Sequence, residues 1–417
     1  MWPAARTEAA PARPRWRRVA AALGPGLVVM LADNDAGSVI TAAQSGARWG
    51  YRLLLLQLAI VPLLFMVQEL AARLGLVSGK GLIELVRERW GVPLASLCVA
   101  LLLASCFGAL VTQMSGLAGI GQLFGVPIWQ TIALVVALTL AMVWSGSYHA
   151  VERAAMLFGL FGLAFAGVAW QAHPDTAQLL AQLRQMPLHD PGYLYLLAAN
   201  LGTSIMPWTV FYQQSALIDK GLSVRDLKTA RLDTLLGAVV CQLLSACVLI
   251  AAAATLGQHR GAVALDSVPQ IALAFTAALG DRVGRVVFAL GMGGSAMVAL
   301  IVVCLSAAWA VGEASGRRHS LEQHPSEAPL FYGAFALMLL GAGGLVCSGV
   351  NLIRLSIATG VGNALLLPVV LGIVYALART SLGGRFRLSG AYALLVALVF
   401  AGAAALGVYA GVAGAAN

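Results

Sequence analysis

The sequence predicts an all-α membrane protein with about eleven transmembrane helices, and two observations lead to this class. Hydrophobic residues make up 60% of the 417 residues and charged residues only 10%, a balance that a water-soluble protein, whose surface must be solvated, does not reach. Apolar stretches near or above the roughly 20 residues that a helix needs to cross the hydrocarbon core recur along the whole chain. The expected spans are 20–47, 52–76, 94–124, 127–145, 152–172, 193–217, 233–257, 286–314, 328–349, 352–378 and 389–412.

The domain organisation follows from these spans, because no stretch long enough for a soluble domain lies between them. Residues 1–18 are expected to form a basic cytoplasmic tail, and residues 19–417 a single transmembrane domain. The tail runs into the first span without the short apolar region and small-residue cleavage site of a signal peptide. We therefore expect the first helix to remain in the mature protein.

The net charge of +9 is explained by membrane topology rather than by a nucleic-acid partner. With the N-terminus placed in the cytoplasm, most of the 26 Lys and Arg residues fall in cytoplasmic segments, as the positive-inside rule expects. This distribution predicts a cytoplasmic N-terminus, an external C-terminus and contact with the lipid bilayer of the cell membrane. The basic residues left outside are Arg48, Arg52, Arg184, Arg260, Arg282, Arg285 and Arg354.

The first span is interrupted at its middle by the polar run Asp33-Asn34-Asp35. A regular helix would spread these three side chains around its circumference and turn one toward lipid. An ionised carboxylate costs several kcal/mol in hydrocarbon, so the run predicts an unwound segment that lines a cavity, with freed backbone carbonyls as ligands. A cluster that only joins neighbouring helices is the weaker interpretation. The favoured interpretation is a cation site.

The sixth span carries a second interruption, at Met206-Pro207. Pro207 lacks an N–H and clashes with the carbonyl four residues earlier, that of Thr203, so carbonyls near Thr203 are expected to be free. A methionine in a membrane helix is most often a packing residue. The position of Met206 at the break favours a role in the site.

The two interruptions occupy corresponding places in two halves of the chain. Paired breaks of this kind are typical of transporters built from inverted repeats, with the substrate site at the repeat interface. The predicted fold is therefore a LeuT-type inverted repeat of five plus five helices with helices 1 and 6 broken. Repeat one is expected at about 19–172, repeat two at about 193–378 and an additional helix at about 389–412.

Several segments resemble the natural resistance-associated macrophage proteins, or Nramp transporters of divalent metals. The run Gln44-Ser45-Gly46-Ala47-Arg48-Trp49-Gly50-Tyr51 and the run from Gln68 to Lys80 look like the family's first and second helices and the loop that follows. In the sixth span, Met206-Pro207 followed by Phe211-Tyr212 and Ser215 is similar to the family's Met-Pro motif.

The resemblance implies a set of metal ligands. The family binds its ion through the Asp and Asn of an Asp-Pro-Gly-Asn motif, the Met of the sixth helix, and two backbone carbonyls three residues earlier. In this sequence the Asp is Asp35, the Asn position is Ser38, the Met is Met206, and the carbonyls belong to Ala32 and Thr203. Serine is a shorter donor than asparagine, so a water molecule is expected to complete the shell. The ion is the substrate, and no cofactor is expected.

The chain departs from the family pattern where coupling to protons is concerned. Classical members use a His after the Met-Pro pair and carboxylates on the third helix. Here the His position is Trp208, the third-helix positions fall near Leu110 and Gln113, and no Asp or Glu occurs from Arg89 to Val151. This resembles the Nramp-related branch that carries divalent ions without proton coupling. Because that branch commonly lacks the methionine kept here, we expect Mn²⁺ to be favoured, with Mg²⁺ second.

Other polar residues give weaker expectations. Glu69 and Arg73, spaced i, i+4, are expected to form a structural pair near the cytoplasmic mouth. Asn363 either faces the ion path or bonds between helices, and the second is more common. The segment from Asp219 to Asp233 is expected to be a solvated connector, and the six cysteines are expected to be buried.

Two rival functions remain at this stage. A symporter of a small organic solute, such as an amino acid, has the same fold, but Asp33 and Asp35 would repel a substrate carboxylate bound at a half-helix N-terminus. A membrane enzyme would need a nucleophile or metal motif, and neither His-Glu-x-x-His nor Gly-x-Ser-x-Gly occurs; His149 with Glu152 has no third partner. We expect no enzyme and no obligate protein partner.

Overall fold

A computed structural model describes residues 24–144, 157, 159–257, 265, 267–315, 326–349 and 351–415. The basic tail at residues 1–18 and the pair His149 and Glu152 lie outside the described residues. The described helices are α1 Pro25–Asp33, α2 Ala36–Trp49, α3 Leu54–Ser78, α4 Leu82–Trp90, α5 Val92–Leu123, α6 Ile128–Trp144, α7 Ala164–Gln171, α8 Thr176–Gln182, α9 Pro191–Ser204, α10 Pro207–Asp219, α11 Leu227–Thr255, α12 Val268–Leu279, α13 Asp281–Ser315, α14 Pro329–Cys347, α15 Leu352–Thr380 and α16 Gly390–Ala415.

The predicted spans agree with these helices. Eight stretches of the described chain are long and apolar enough to cross a membrane. The first span is divided into α1 and α2, the fourth is the 17-residue α6, and the described part of the fifth ends with α7. The sixth span is divided into α9 and α10. The all-α class and both broken helices are confirmed.

Three short helices lie between the spans and were not predicted. They are α4, α8 and α12, with 9, 7 and 12 residues. Helices α4 and α8 each follow the end of a span within a few residues, whereas α12 begins 13 residues after the end of α11. All three are too short to cross the hydrocarbon core, so they leave the count of spans unchanged.

Two groups of helices pack around the breaks. The halves α1, α2, α9 and α10 pack with α3 and α11, while α5, α6, α13 and α14 pack with one another. One pair of contacts is related as an inverted repeat requires, because α2 packs on α11 as α10 packs on α3. Helices α15 and α16 pack on α9.

The outer surface of the bundle is apolar. Trp129 and Leu138 on α6 are 63% and 53% exposed, and Leu394 and Leu398 on α16 are 62% and 64% exposed. Large apolar side chains in this number on long helices are expected where the surrounding solvent is lipid. The polar residues at the breaks of the two broken helices are instead buried.

Candidate metal centre

The first broken helix resumes at Asp35. Helix α1 ends at Asp33, and the Asn34 N–H closes its last turn by donating to the Met30 carbonyl at 3.2 Å. Asp35 is extended, with φ −83° and ψ −176°, and its Oδ1 accepts from the Ser38 N–H at 2.8 Å. A carboxylate at a helix N-terminus satisfies a free amide and is stabilised by the helix dipole. Asp35 is therefore the N-cap of α2.

The second broken helix resumes at Met206 in the same way. Helix α9 ends at Ser204, Met206 is extended with φ −92° and ψ 144°, and Pro207 begins α10. Because Pro207 has no N–H, the Thr203 carbonyl has no helical partner, as predicted. The side chains proposed to bind the ion thus occupy equivalent positions, each directly before the second half of a broken helix.

Ser38 connects the two breaks. Its Oγ donates to the Asp33 carbonyl at 2.8 Å and lies 3.3 Å from the carbonyl of Thr203. The hydroxyl proton is directed at backbone oxygens, and the Oγ lone pairs remain available for an ion. This contact brings the carbonyl end of α9 against the first break.

Gln113 of α5 holds both the carboxylate of Asp35 and the start of α2. Its Nε2 donates to Asp35 Oδ2 at 2.5 Å, and its Oε1 accepts from the Ala36 N–H at 3.0 Å. Gln113 is fully buried. Since the Ala36 N–H donates to this side chain, the Ala32 carbonyl loses its helical partner and is left at the break. The sequence placed Gln113 at the third-helix position of the family but did not predict these contacts.

Trp208 donates to the sulfur of Met206. The indole Nε1 lies 3.1 Å from Met206 Sδ, and both side chains are buried. One of the two sulfur lone pairs is therefore engaged by a donor within the protein. Trp208 occupies the position where the family resemblance expected a histidine, and it offers no titratable group.

The candidate centre is enclosed by protein. Asp35 is 2% exposed, Met206 3% and Ser38 6%. No group of three His, Cys, Asp or Glu side chains that could hold a metal occurs in the described ranges. The residues predicted to bind the ion offer instead one carboxylate, one thioether, a hydroxyl and two backbone carbonyls, a combination that would suit a divalent ion between hard and soft character.

Asp33 and Asn34 point away from this centre, toward α11. Asp33 Oδ2 accepts from the thiol of Cys241 at 3.6 Å, and Asn34 Oδ1 accepts from Ser245 Oγ at 3.1 Å. Among the described residues, no group donates to Asp33 Oδ1. The two aspartates of the first break thus face different neighbours.

Asn363 forms a bond between helices. Its Oδ1 accepts from Ser105 Oγ of α5 at 2.9 Å, and Asn363 is 3% exposed. This contact agrees with the more common of the two interpretations that the sequence allowed.

At one end of the bundle, called here the Arg73 end, Glu69 joins two arginines. Arg73 pairs with Glu69 at 2.6 Å, as the spacing predicted, and Arg231 of α11 adds a second contact to Glu69 at 2.7 Å. Arg73 also reaches the carbonyl of Phe386 at 3.4 Å. Glu69 is 2% exposed, so the network fixes α3, α11 and the segment before α16 to one another.

The expectation that the segment 219–233 is solvated throughout is wrong for Asp233. It lies within α11, is 3% exposed, and its Oδ2 accepts from the N–H groups of Gly24, Gly26 and Leu27 at 3.1, 2.7 and 3.3 Å. These are free amides at the N-terminus of α1, where the helix dipole favours a carboxylate. The acceptor lies 207 residues from Gly26 along the chain, so the local sequence carried no signal of this cap.

The expectation that all six cysteines are buried is also wrong in part. Cys106, Cys241 and Cys304 are buried, Cys98 and Cys247 are intermediate, and Cys347 is exposed at the end of α14. A thiol tolerates contact with lipid, so a position in an apolar span does not require burial.

Comparison with known proteins gives a family match over almost the whole chain. The family model described as "natural resistance-associated macrophage protein-like" matches residues 26–413. Proteins called divalent metal cation transporter MntH are 31% identical in Deinococcus radiodurans, over 57% of this chain and 57% of that protein, and 31% identical in Chromohalobacter salexigens, over 58% of each. The chain spans about half the length of the curated relatives it matches.

Solved structures share the fold. A manganese transporter of Eremococcus coleocola matches with a TM-score of 0.75 and 17% identity, over 95% of this chain and 87% of that one. MhsT in complex with L-phenylalanine matches with a TM-score of 0.64 and 15% identity, over 96% of this chain and 99% of that one. The LeuT-type inverted repeat predicted from the paired breaks is therefore the fold of this chain.

Proposed function

The chain belongs to the natural resistance-associated macrophage protein-like family, and from this membership we propose that it carries divalent metal ions across a membrane by alternating access. Mn²⁺ is the favoured ion and Mg²⁺ the second. Relatives called divalent metal cation transporters and a structural match called a manganese transporter support this assignment. The observation that carries it is the equivalent placement of Asp35 and Met206 at the resumption of the two broken helices.

In this proposal the ion lies between the breaks. The Asp35 carboxylate supplies the charge, Met206 the thioether, and Ala32 and Thr203 their backbone carbonyls. Ser38 contributes an Oγ lone pair. The hydrogen bond from Ser38 to the Thr203 side of the site supports its place in the shell, because it keeps the hydroxyl within reach of both breaks.

The preference for Mn²⁺ over Mg²⁺ rests on the sulfur. A thioether adds affinity for softer transition metals and little for Mg²⁺. The Trp208 N–H engages one sulfur lone pair and leaves the other for the ion. The sulfur therefore still favours softer metal ions, but less strongly than it would without the hydrogen bond from Trp208.

Transport is proposed to proceed without proton coupling. A proton relay through the membrane requires titratable groups. The three positions that the family uses for this purpose carry Trp208, Leu110 and Gln113, and all three side chains are buried and do not titrate. The Gln113 amide donates a hydrogen bond to Asp35 as a protonated acid would, but the amide does not gain or lose a proton.

Alternating access requires the Arg73 end to open. The Asp233 cap and the Glu69 network join α1, α3 and α11 at that end. We propose that release of these contacts lets α1 swing away from α11 and exposes the ion to the cytoplasm. The proposed setting is the cell membrane, with the N-terminus inside, the C-terminus outside and no obligate protein partner.

The organic-solute alternative is ranked below metal transport. MhsT, which shares the fold, was solved with an amino acid. Here the N-terminus of α2, which would receive a substrate carboxylate, is already capped by Asp35. Two anionic groups at one helix end would repel each other.

The test is uptake of Mn²⁺ and Mg²⁺ into proteoliposomes that contain a pH dye. Wild type is compared with Asp35→Ala, Met206→Ala and the control Asp281→Ala, whose carboxylate is exposed and pairs with Arg285. We expect Mn²⁺ entry without acidification, no uptake by Asp35→Ala, and weakened discrimination against Mg²⁺ in Met206→Ala. Full activity of Asp35→Ala, or no transport of either ion by wild type, would overturn the proposal and favour an organic substrate.

A further inference from the structure

The Asp33 carboxylate has no role in the metal centre described above. It is 0% exposed at the middle of a membrane span. Among the described residues, Asp33 Oδ2 accepts only from the thiol of Cys241, a weak hydrogen-bond donor at 3.6 Å, and no group donates to Oδ1. A buried carboxylate with one oxygen unpartnered is costly, and such groups are normally compensated by a partner or an ion.

Asp33 and Asp35 lie at helix ends whose dipoles have opposite signs. Asp35 caps the N-terminus of α2, the positive end of that helix, and both of its oxygens accept hydrogen bonds. Asp33 is the last residue of α1, at the negative end, where the dipole favours a cation rather than a carboxylate. The compensation that the protein gives to Asp35 is absent at Asp33.

The side chains of Asp33 and Asp35 contact different helices. The Asp33 side chain faces Cys241 on α11, whereas Asp35 faces Gln113 on α5. Ser245, one turn after Cys241 on α11, holds the neighbouring Asn34 in the same direction. Helix α11 therefore presents two polar side chains to the residues that end α1.

We propose that Asp33 is the charged ligand of a second cation site, which takes a small monovalent ion, Na⁺, when the metal centre is empty. The C-terminal end of α1 and the unpartnered Asp33 Oδ1 supply the negative field of this site. A half-helix C-terminus and unwound backbone in a broken membrane helix are suited to coordinate such an ion.

The charges of Asp33 and Asp35 determine how ion binding at one site affects binding at the other. This coupling rests on the proposed function, in which Asp35 binds a divalent ion. Asp33 and Asp35 together carry two negative charges, which one divalent ion balances. An added monovalent ion would leave an uncompensated positive charge in the membrane interior. Na⁺ at Asp33 and a divalent ion at Asp35 therefore bind antagonistically, and Na⁺ is the ion of the unloaded carrier.

The first experiment measures Na⁺ alone and does not depend on metal transport. Binding of radioactive Na⁺ to the purified protein is followed by scintillation proximity in choline buffer without divalent ions. Wild type is expected to bind Na⁺ saturably, and unlabelled Na⁺ should displace it better than K⁺. Asp33→Asn, which keeps the size and the contact with Cys241, should lose saturable binding, while Asp35→Asn and the exposed control Asp281→Asn should retain it.

Absence of saturable Na⁺ binding in wild type, or its survival in Asp33→Asn, would overturn the proposal. Because the wild-type result alone can reject it, the test does not depend on the folding of one variant. Asp33→Ser serves as a second variant, and both are checked for a single symmetric peak by size-exclusion chromatography.

The second experiment separates this inference from the proposed function. Mn²⁺ is titrated into wild type at low and high Na⁺ with constant ionic strength kept by choline. Antagonism predicts that Na⁺ weakens Mn²⁺ binding, that Mn²⁺ weakens Na⁺ binding by the same factor, and that Asp33→Asn removes both effects. Equal Mn²⁺ affinity at both Na⁺ concentrations would reject the antagonism. Saturable Na⁺ binding without any Mn²⁺ binding would reject metal transport and keep the Na⁺ site.

Discussion

Gln113 bonds at once to the carboxylate of Asp35 and to the helix that Asp35 caps. Its Nε2 donates to Asp35 Oδ2 at 2.5 Å, and its Oε1 accepts from the Ala36 N–H at 3.0 Å. A single amide can do both because it carries a donor and an acceptor, whereas an ionised carboxylate at this position only accepts. With an amide rather than an acid at this position, the Gln113 side chain therefore orients Asp35 without having to be protonated.

The first prediction concerns this positioning role. Gln113→Leu removes both hydrogen bonds and should weaken Mn²⁺ binding by about 10- to 100-fold, the usual effect of losing a partner that orients a metal ligand. Titration calorimetry with Mn²⁺ measures it. The control is Thr112→Val, whose hydroxyl donates only within α5, to the Gly108 carbonyl. Similar affinities of Gln113→Leu and wild type would show that Gln113 does not position Asp35.

The second prediction concerns the sulfur of Met206. Trp208→Phe removes the N–H donor, so both sulfur lone pairs become available, and the preference for soft Cd²⁺ over Mn²⁺ should rise. Competition of Cd²⁺ against Mn²⁺ uptake measures the ratio. Trp309→Phe, another buried indole, is the matched control and should leave the ratio unchanged. An unchanged ratio in Trp208→Phe would contradict the inferred tuning of the thioether.

The third prediction concerns the cap of α1. Asp233→Ala leaves amides of α1 without an acceptor and should lower the free energy of unfolding by about 1 kcal/mol or more, as loss of an N-cap does. Gly26→Ala should act through the same contact, because a Cβ there would lie 2.7 Å from Asp233 Oδ2. Thermal unfolding in detergent measures both changes. If the two effects simply add in the double variant, the residues are not coupled.

The fourth prediction compares a buried ion pair with an exposed one. Glu69→Gln leaves the buried Arg73 without its carboxylate, a change that costs about 3–5 kcal/mol in comparable cases, and it also removes the contact with the exposed Arg231. Glu88→Gln removes the exposed partner of Lys80 and should cost about 1 kcal/mol or less. Denaturation monitored by tryptophan fluorescence compares the two variants. Equal stability would show that the Glu69 network does not hold the Arg73 end together.

Both breaks could be predicted from the sequence because each contains a local conflict. The run Asp33-Asn34-Asp35 cannot be placed on a regular helix in lipid without turning a polar side chain outward, and Pro207 cannot continue the hydrogen bonds of one. Their matching positions then predicted the repeat. These signals lie within a few residues of one another, and the structure agrees with them to within one residue.

The partners of the site could not be predicted, because they depend on helices far apart in the chain. Gln113 lies 78 residues from Asp35, and Asp233 lies 207 residues from Gly26. Helix periodicity in a membrane also gave little guidance, since spans that are apolar on all sides do not mark which face is buried. Because its partners are so distant in the chain, the Asp233 cap could not be predicted, and a solvated segment was expected there.

The location of the metal centre can be measured by anomalous difference density at the manganese absorption edge, from crystals soaked in Mn²⁺. We expect one dominant peak between the Asp35 carboxylate and Met206 Sδ, within reach of the Thr203 carbonyl. This peak should be absent from crystals of Asp35→Ala. A peak elsewhere, or one that persists in Asp35→Ala, would contradict the assignment of the metal centre to the two breaks.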